Sequence, residues 1–380
     1  MRCSPLRLHL RELATSGSPT HPRILLRSRA AQITDVAALL TVDRDVRGPA
    51  PATLAPTDVL VRVRAAPVHW VDLLQATGQY QHLPALPYTP GLDSAGVVEA
   101  VGSAVPPTSA RAGERVMLDV FGEVGPRNSG AYAQWGGLQA LVVAPHTSVR
   151  RVPDALSFAE AACFSGPYET AYHALHHRAK LRAGETVLIL GATGSSGSAA
   201  AELAREAGAR SVLVGGTPEK LREVERVVGG SSILDSFTYG DEAGWARVRG
   251  AADVVFDTVG GEATLRSIRA CKFRARVALV GWTSTPHQKD APNQLPTNLV
   301  LIKSLDVLGC PVVIHTKRSP EIRAERAAYL HELAAEGRLR PLVDEFRAVP
   351  GDADSLLAAA RAAFAAKAAR RVAGNAVVVM

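Results

Sequence analysis

The sequence predicts an α/β protein with a β-rich front domain and a rear domain built on a doubly wound parallel sheet. From residue 184 onward, short apolar runs alternate with helical patterns, as a buried parallel sheet requires. Before that point the chain reads as short strands between Gly and Pro turns. The length of 380 residues, 47% of them apolar, gives two domains enough material for separate cores.

Taken in order, residues 1–28 form a basic tail, with five arginines against Glu12 alone. It is rich in Arg, Ser and Leu, which is the composition of a transit peptide; a disordered extension is the alternative, and either reading leaves the tail outside the fold. "DVLVRVRAAPV" (58–68) alternates apolar and charged residues like a half-buried strand. Residues 90–105 and 113–120 supply further short strands, and the period turns helical over 157–177. Then "TVLILGA" reads as a strand, 195–208 as a helix, "SVLVGG" as a strand and 218–228 as a helix. "ADVVFDTVG", "GGEATLRSIRAC" and "ARVALVG" continue as strand, helix and strand, and 354–371 is an amphipathic helix.

No apolar run reaches the roughly 18 residues that span a bilayer, so no membrane role is expected. The net charge of +7 owes more than half to the tail, and the remainder is too dispersed for nucleic-acid binding. Cys3, Cys163, Cys271 and Cys310 lie far apart, which argues against a disulfide framework or a structural zinc cluster.

"LILGATGSSGSAAAEL" (188–203) carries the clearest chemistry. Between strand and helix sits Gly191-Ala192-Thr193-Gly194-Ser195-Ser196-Gly197, a close variant of the dinucleotide fingerprint. Gly194 lets the backbone approach a pyrophosphate, and Gly197 lets helix pack on strand. The helix N-terminus offers N–H groups to the phosphates. Cofactors without a 2′-phosphate are held by an acid at the end of the second strand. Here that position reads Gly215-Gly216-Thr217, with Lys220 one turn on. No carboxylate stands there to repel a 2′-phosphate, so NADPH is expected, although Glu219 beside Lys220 weakens the argument.

With these motifs in hand, the chain resembles a zinc-free medium-chain dehydrogenase/reductase of the quinone oxidoreductase and enoyl reductase branch. The resemblance runs from about residue 29 to the end. It is carried by "LPYTPGLDSAGVVEAVG" (86–102), "SGAYAQW" (129–135), "PYETAYHAL" (167–175), "GETVLILGATGSSG" (184–197) and "VVFDTVGG" (254–261). It implies a GroES-like β-rich catalytic domain over 29–156, a Rossmann cofactor domain over 157–308 and a return to the catalytic domain over 309–380. A homodimer, an active site in the cleft between domains and a small-molecule substrate are implied with it. The compartment expected is the cytoplasm, or the mitochondrion if the tail is a transit peptide.

Zinc relatives place ligands at positions matching His69, Leu92 and a residue near Gly166; Leu92 and Gly166 cannot ligate, so no metal is expected. The resemblance implies catalytic roles for Tyr80, as proton donor or orienting phenol, and for His69, where relatives carry Asn. A loop tyrosine and a buried structural histidine are the plainer readings. Trp70, Asp72 and Trp282 are expected at the substrate pocket. Thr170, Tyr239, Gly260 and Gly281 join residues 191–197 and Gly216, Thr217 and Lys220 around the cofactor. The chain ends Gly374-Asn375-Ala376-Val377 where relatives carry a lysine after the glycine. His173 and His177 stand four apart on a helix; lacking an evident third ligand, they read as a solvated face. The function expected is zinc-independent reduction of quinones or α,β-unsaturated carbonyl compounds. An enoyl-thioester reductase of lipid or polyketide metabolism, or a non-catalytic NADPH-binding module, are the alternatives.

Overall fold

The computed structural model describes residues 20–48, 51–118, 136–284 and 294–380. They form two compact units. Unit 1 holds the described residues up to Ser165 together with Val343–Arg371 and Asn375–Met380; unit 2 holds Gly166–Leu342 and Val372–Gly374. The chain therefore changes unit at Ser165 and Leu342, later than the boundaries expected at 156 and 308.

Unit 1 opens with β1 (Thr20–Leu26), paired antiparallel with β2 (Leu40–Arg47). This corrects the boundary of the basic tail. Ile24, Leu25 and Leu26 are buried, so the fold begins inside the Arg-rich segment. Then follow β3 (Asp58–Val68), helix α1 (Trp70–Ala76), β4 (Ser94–Val101), β5 (Arg115–Leu118), β6 (Leu141–Pro145) and β7 (Val149–Arg151). Helix α2 (Phe158–Ala162) starts on Ser157, whose hydroxyl accepts from the Glu160 N–H while the Glu160 carboxylate accepts from the Ser157 N–H.

In unit 2, α3 (Ser165–Tyr172, its first residue in unit 1) runs into a π-helical turn at His173–Arg178. Next come β8 (Thr186–Leu190), α4 (Ser195–Glu206), β9 (Arg210–Gly215), α5 (Pro218–Val228), β10 (Ile233–Thr238) and α6 (Glu242–Arg247). They are followed by β11 (Ala252–Asp257), α7 (Gly261–Ala270), β12 (Cys271–Leu279), α8 (Thr297–Lys303), β13 (Asp306–Gly309), α9 (Val312–Arg318) and α10 (Pro320–Ala335). The chain ends with β14 (Val343–Arg347), α11 (Ala353–Ala368) and β15 (Asn375–Val379), all of which join unit 1.

The unit 1 sheet has the order β14-β15-β3-β4-β5-β7, with β6 also on β3. All its pairs are antiparallel except β14 with β15. Its core includes Val59, Val61, Ala65, Val116, Val377 and Val378, none exposed. The unit 2 sheet is wholly parallel, in the order β10-β9-β8-β11-β12-β13. Counted within the unit this is 3-2-1-4-5-6, the doubly wound order, and it reverses between β8 and β11. Leu188, Leu190, Val214, Val255 and Val277 fill its centre. The architecture is thus a GroES-like β-rich domain plus a Rossmann-like α/β domain. Among the described residues, no helix is long and apolar enough to cross a membrane.

Candidate active site

The glycine turn sits at the switch point of the unit 2 sheet, where ligands bind in open α/β folds. Gly191 leaves β8 at φ +75°, and a Cβ there would stand 2.3 Å from Thr258 Oγ1. Gly197, in the first turn of α4, lies against the same turn: its Cβ would meet the Gly191 carbonyl oxygen at 2.0 Å. Gly194 is the N-cap of α4 and has no side chain to cap it. A helix start of this kind leaves its first N–H groups without the intrahelical acceptors that later residues have. Ala192 and Thr193 are buried beneath the turn.

Two anchors hold this turn. The Gly191 N–H donates to Tyr239 Oη at 2.8 Å, so Tyr239 acts through its hydroxyl as a support of the backbone. Gly374 donates its N–H to the Thr193 carbonyl at 2.9 Å, and its own carbonyl accepts from Ser195 Oγ at 3.1 Å. Gly374 thus grips the glycine turn through its backbone. Asp257, at the end of β11 and fully buried, holds the neighbouring Gly260 loop instead. Its Oδ1 accepts from the N–H groups of Val259 (2.8 Å) and Gly260 (3.0 Å), and its Oδ2 accepts from Thr264 Oγ1. Burial pushes the Asp257 carboxyl upward and these donors oppose the shift. Gly260, at φ +78°, opens α7. Gly281 donates to the Asp257 carbonyl at 3.2 Å, and Trp282 follows it with 53% of its surface exposed.

At the end of β9, Gly216 is exposed and Lys220 Nζ lies 3.6 Å from where a Gly216 Cβ would be. Thr217 caps α5, its Oγ1 accepting from the Lys220 N–H at 3.5 Å. The exposed Glu219 carboxylate is held below its usual range, first by a backbone N–H and then by the Thr217 hydroxyl and Arg222. Thr170 donates its hydroxyl to the Gly166 carbonyl at 2.7 Å inside α3, so its one donor is used within the helix.

Unit 1 carries the other expected residues. His69 is the N-cap of α1, and its Nε2 lies 2.8 Å from Asp93 Oδ2, with Asp93 only 2% exposed. Sequence reasoning did not pair these two; the 24-residue gap between them is closed by the turn into β4. Asp72 is a positioning residue here. Its Oδ2 accepts from the His69 N–H at 2.8 Å and its Oδ1 from the Gly91 N–H at 3.0 Å. Burial raises its carboxyl, with the His69 side chain and both N–H groups acting against the shift. It thereby ties the His69 backbone to the loop that carries Asp93. Arg370 lies over the Trp70 ring, 5.2 Å from its centroid. Tyr80 follows Gly78 in the loop after α1 and meets the His82 ring edge-on at 6.1 Å. Leu92 is a core side chain, 1% exposed. The motif at 129–135 lies outside the described residues.

The comparisons bear on the family and the fold. Residues 55–154 match the alcohol dehydrogenase GroES-like domain, and residues 197–328 match the zinc-binding dehydrogenase family. A quinone oxidoreductase-like protein 2 homolog of Nematostella vectensis is 30% identical over 76% of this chain and 74% of its own length. A quinone oxidoreductase of Lama guanicoe is 30% identical over 80% of this chain and 84% of its own. A mycobacterial protein solved with NADPH superposes with a TM-score of 0.74 at 22% identity, over 95% of this chain and 100% of that one. An NAD-dependent alcohol dehydrogenase gives 0.75 at 24%, over 94% and 99%. At those identities the two structures speak for the fold. The chain belongs to the medium-chain dehydrogenase/reductase superfamily, in its quinone oxidoreductase branch, and is an oxidoreductase.

Proposed function

We propose that the chain reduces quinones or α,β-unsaturated carbonyl compounds with NADPH and without zinc. The end of β9 carries the cofactor choice. No carboxylate occupies Gly215, Gly216 or Thr217, and the Lys220 ammonium stands over Gly216, where a 2′-phosphate would gain a charge-assisted partner. The N–H groups at the start of α4 suit the pyrophosphate, and Gly197 permits the close helix approach that this needs.

NADPH, when bound, supplies the hydride. The side chains of unit 1 have the task of holding the substrate oxygen as charge develops on it. His69 is fixed by Asp93 through one ring nitrogen, which orients the imidazole for this task. Tyr80 supplies a phenol for the same oxygen or for a water beside it. An electron-poor carbon accepts hydride under hydrogen-bond polarisation alone, whereas a simple ketone needs a Lewis acid or a proton relay at its oxygen. The zinc ligand positions of relatives hold the core residue Leu92 and the side-chain-free Gly166, which favours the first class of substrate.

The test is turnover of NADPH and NADH against quinones, enals and enoyl-thioesters after dialysis against a chelator. The expected result is preferential NADPH oxidation with quinones or enals and no loss on chelation. Faster turnover with NADH, or tight NADPH binding with no turnover of any substrate, overturns the reading.

A further inference from the structure

Unit 2 also holds a histidine cluster made of residues outside the glycine turn. His173 and His177 lie on the π-helical turn after α3, and His315 reaches them from α9. Their ring centroids form a near-equilateral triangle: 5.3 Å between His173 and His177, and 4.7 Å from each to His315. One nitrogen from each lies within 4.8 Å of the others. This overturns the expectation of a solvated helix face, because His173 is fully buried. The missing third ligand comes from 138 residues downstream.

Both ring nitrogens of His173, and Nδ1 of His315, are buried without a hydrogen-bond partner. A buried imidazole that forgoes all its hydrogen bonds calls for a reason, and a stack of three rings does not replace those bonds. A metal ion supplies one. A tetrahedral ion with metal–nitrogen bonds of about 2.0–2.1 Å sets its imidazole centroids roughly 5 Å apart, which is the spacing seen. π-helical turns are rare and concentrate at functional sites. Two guanidiniums act on the cluster: that of Arg326 is engaged by the Glu169 carboxylate and by Thr316 Oγ1, and that of Arg178 donates to the Gly309 carbonyl. His177 lines a surface pocket with Tyr172, Lys180 and Glu325, which gives an ion a way in.

We propose that His173, His177 and His315 form a three-histidine site for a divalent transition metal of the zinc class, with its fourth position open on the His177 side. Three neutral nitrogens without a carboxylate or thiolate suit zinc, copper, nickel or cobalt and disfavour magnesium and calcium. The bound ion joins the π-helical turn to α9, two segments otherwise far apart in the chain. It takes no part in the reduction proposed above.

The experiment titrates chelator-stripped full-length protein with zinc chloride, and with cobalt chloride as the spectroscopic probe. One zinc per chain at micromolar affinity or better is expected. A rise of several degrees in Tm and the intense visible bands of tetrahedral cobalt go with it. His177→Gln and His315→Gln should each weaken zinc binding at least tenfold. Zinc should also protect His177 and His315 from diethyl pyrocarbonate in the unmutated protein, a measurement that does not depend on a variant folding. Absence of stoichiometric zinc binding, unchanged affinity in both variants, or no protection of these two residues overturns the site.

Discussion

Unit 2 builds its glycine turn, the proposed cofactor site, from backbone, whereas unit 1 builds the proposed reactive pair from side chains. The turn at 191–197 works because three positions carry no Cβ and one, Gly194, leaves a helix uncapped. The pair at His69 works because Asp93 fixes one nitrogen and Asp72 ties down the backbone beneath it. A backbone site tolerates almost no side chain at its glycines. A side-chain site tolerates any residue that keeps the hydrogen bonds. The two units should therefore respond differently to substitution.

The largest effect is expected at Gly197→Ala. The new methyl would sit 2.0 Å from the Gly191 carbonyl oxygen, a backbone atom that cannot move without displacing the turn. We expect a loss of about 3 kcal/mol in stability and more than a hundredfold in NADPH affinity. Urea unfolding and cofactor titration check both. An NADPH affinity within tenfold of the unmutated protein would mean that the turn does not hold the pyrophosphate.

Next in size is a pH effect in unit 2. Glu202, on α4, is 2% exposed and accepts from Tyr168 Oη at 2.5 Å. Burial pushes its carboxyl from an ordinary 4.5 up to about 7, against the opposing pull of Tyr168 and the Arg340 N–H. Below pH 4.5 it is protonated in both folded and unfolded chains, and burial costs least. Above about pH 7 it is ionised in both, and the folded chain carries a buried charge. Stability is thus lost as pH rises from 4.5 to about 7, by about 3 kcal/mol. Glu202→Gln should flatten this part of the profile and make the protein more stable than its parent at pH 8. Urea midpoints at pH 5 and pH 8 measure it, and an unchanged slope would refute it.

The same contrast explains what the sequence disclosed. Gly191, Gly194 and Gly197 were legible because backbone stereochemistry leaves few alternatives to glycine there, and strand and helix patterns framed them. The doubly wound order followed from alternating elements, although β10 was missed because "ILDSFT" mixes acid and hydroxyl residues into a strand with one buried position. Strand β1 was hidden in a segment whose arginines and Pro22 mask the apolar run at Ile24–Leu26. Side-chain partners were not legible. Asp93 for His69, Asp257 for the Gly260 loop and His315 for the paired histidines are all supplied by the fold, at sequence separations that no local pattern encodes.

In unit 1 the expected loss is smaller. His69→Leu removes the partner of Asp93 and should lower kcat/KM by ten- to a hundredfold, with NADPH affinity unchanged. His69→Asn, the residue usual in relatives, keeps a donor toward Asp93 and should stay within a few-fold of the parent. Equal losses in both variants would show that the imidazole itself acts, through a proton that an amide cannot carry.

The smallest effect is expected at Lys220→Ala. The ammonium is one of several contacts to a cofactor held mainly by backbone, and it sits at a surface where solvent screens charge. Removing it should reduce the preference for NADPH over NADH about tenfold, chiefly by weakening NADPH, with kcat nearly unchanged. The residual preference belongs to the missing acid. Gly216→Asp places a carboxylate beside the Thr217 cap and should turn the preference toward NADH by accepting from the ribose hydroxyl and repelling the phosphate. If Lys220→Ala leaves the ratio unchanged while Gly216→Asp reverses it, selectivity rests on the absence of an acid at the end of β9. That would make cofactor choice in unit 2 a backbone property as well, with Lys220 a bystander.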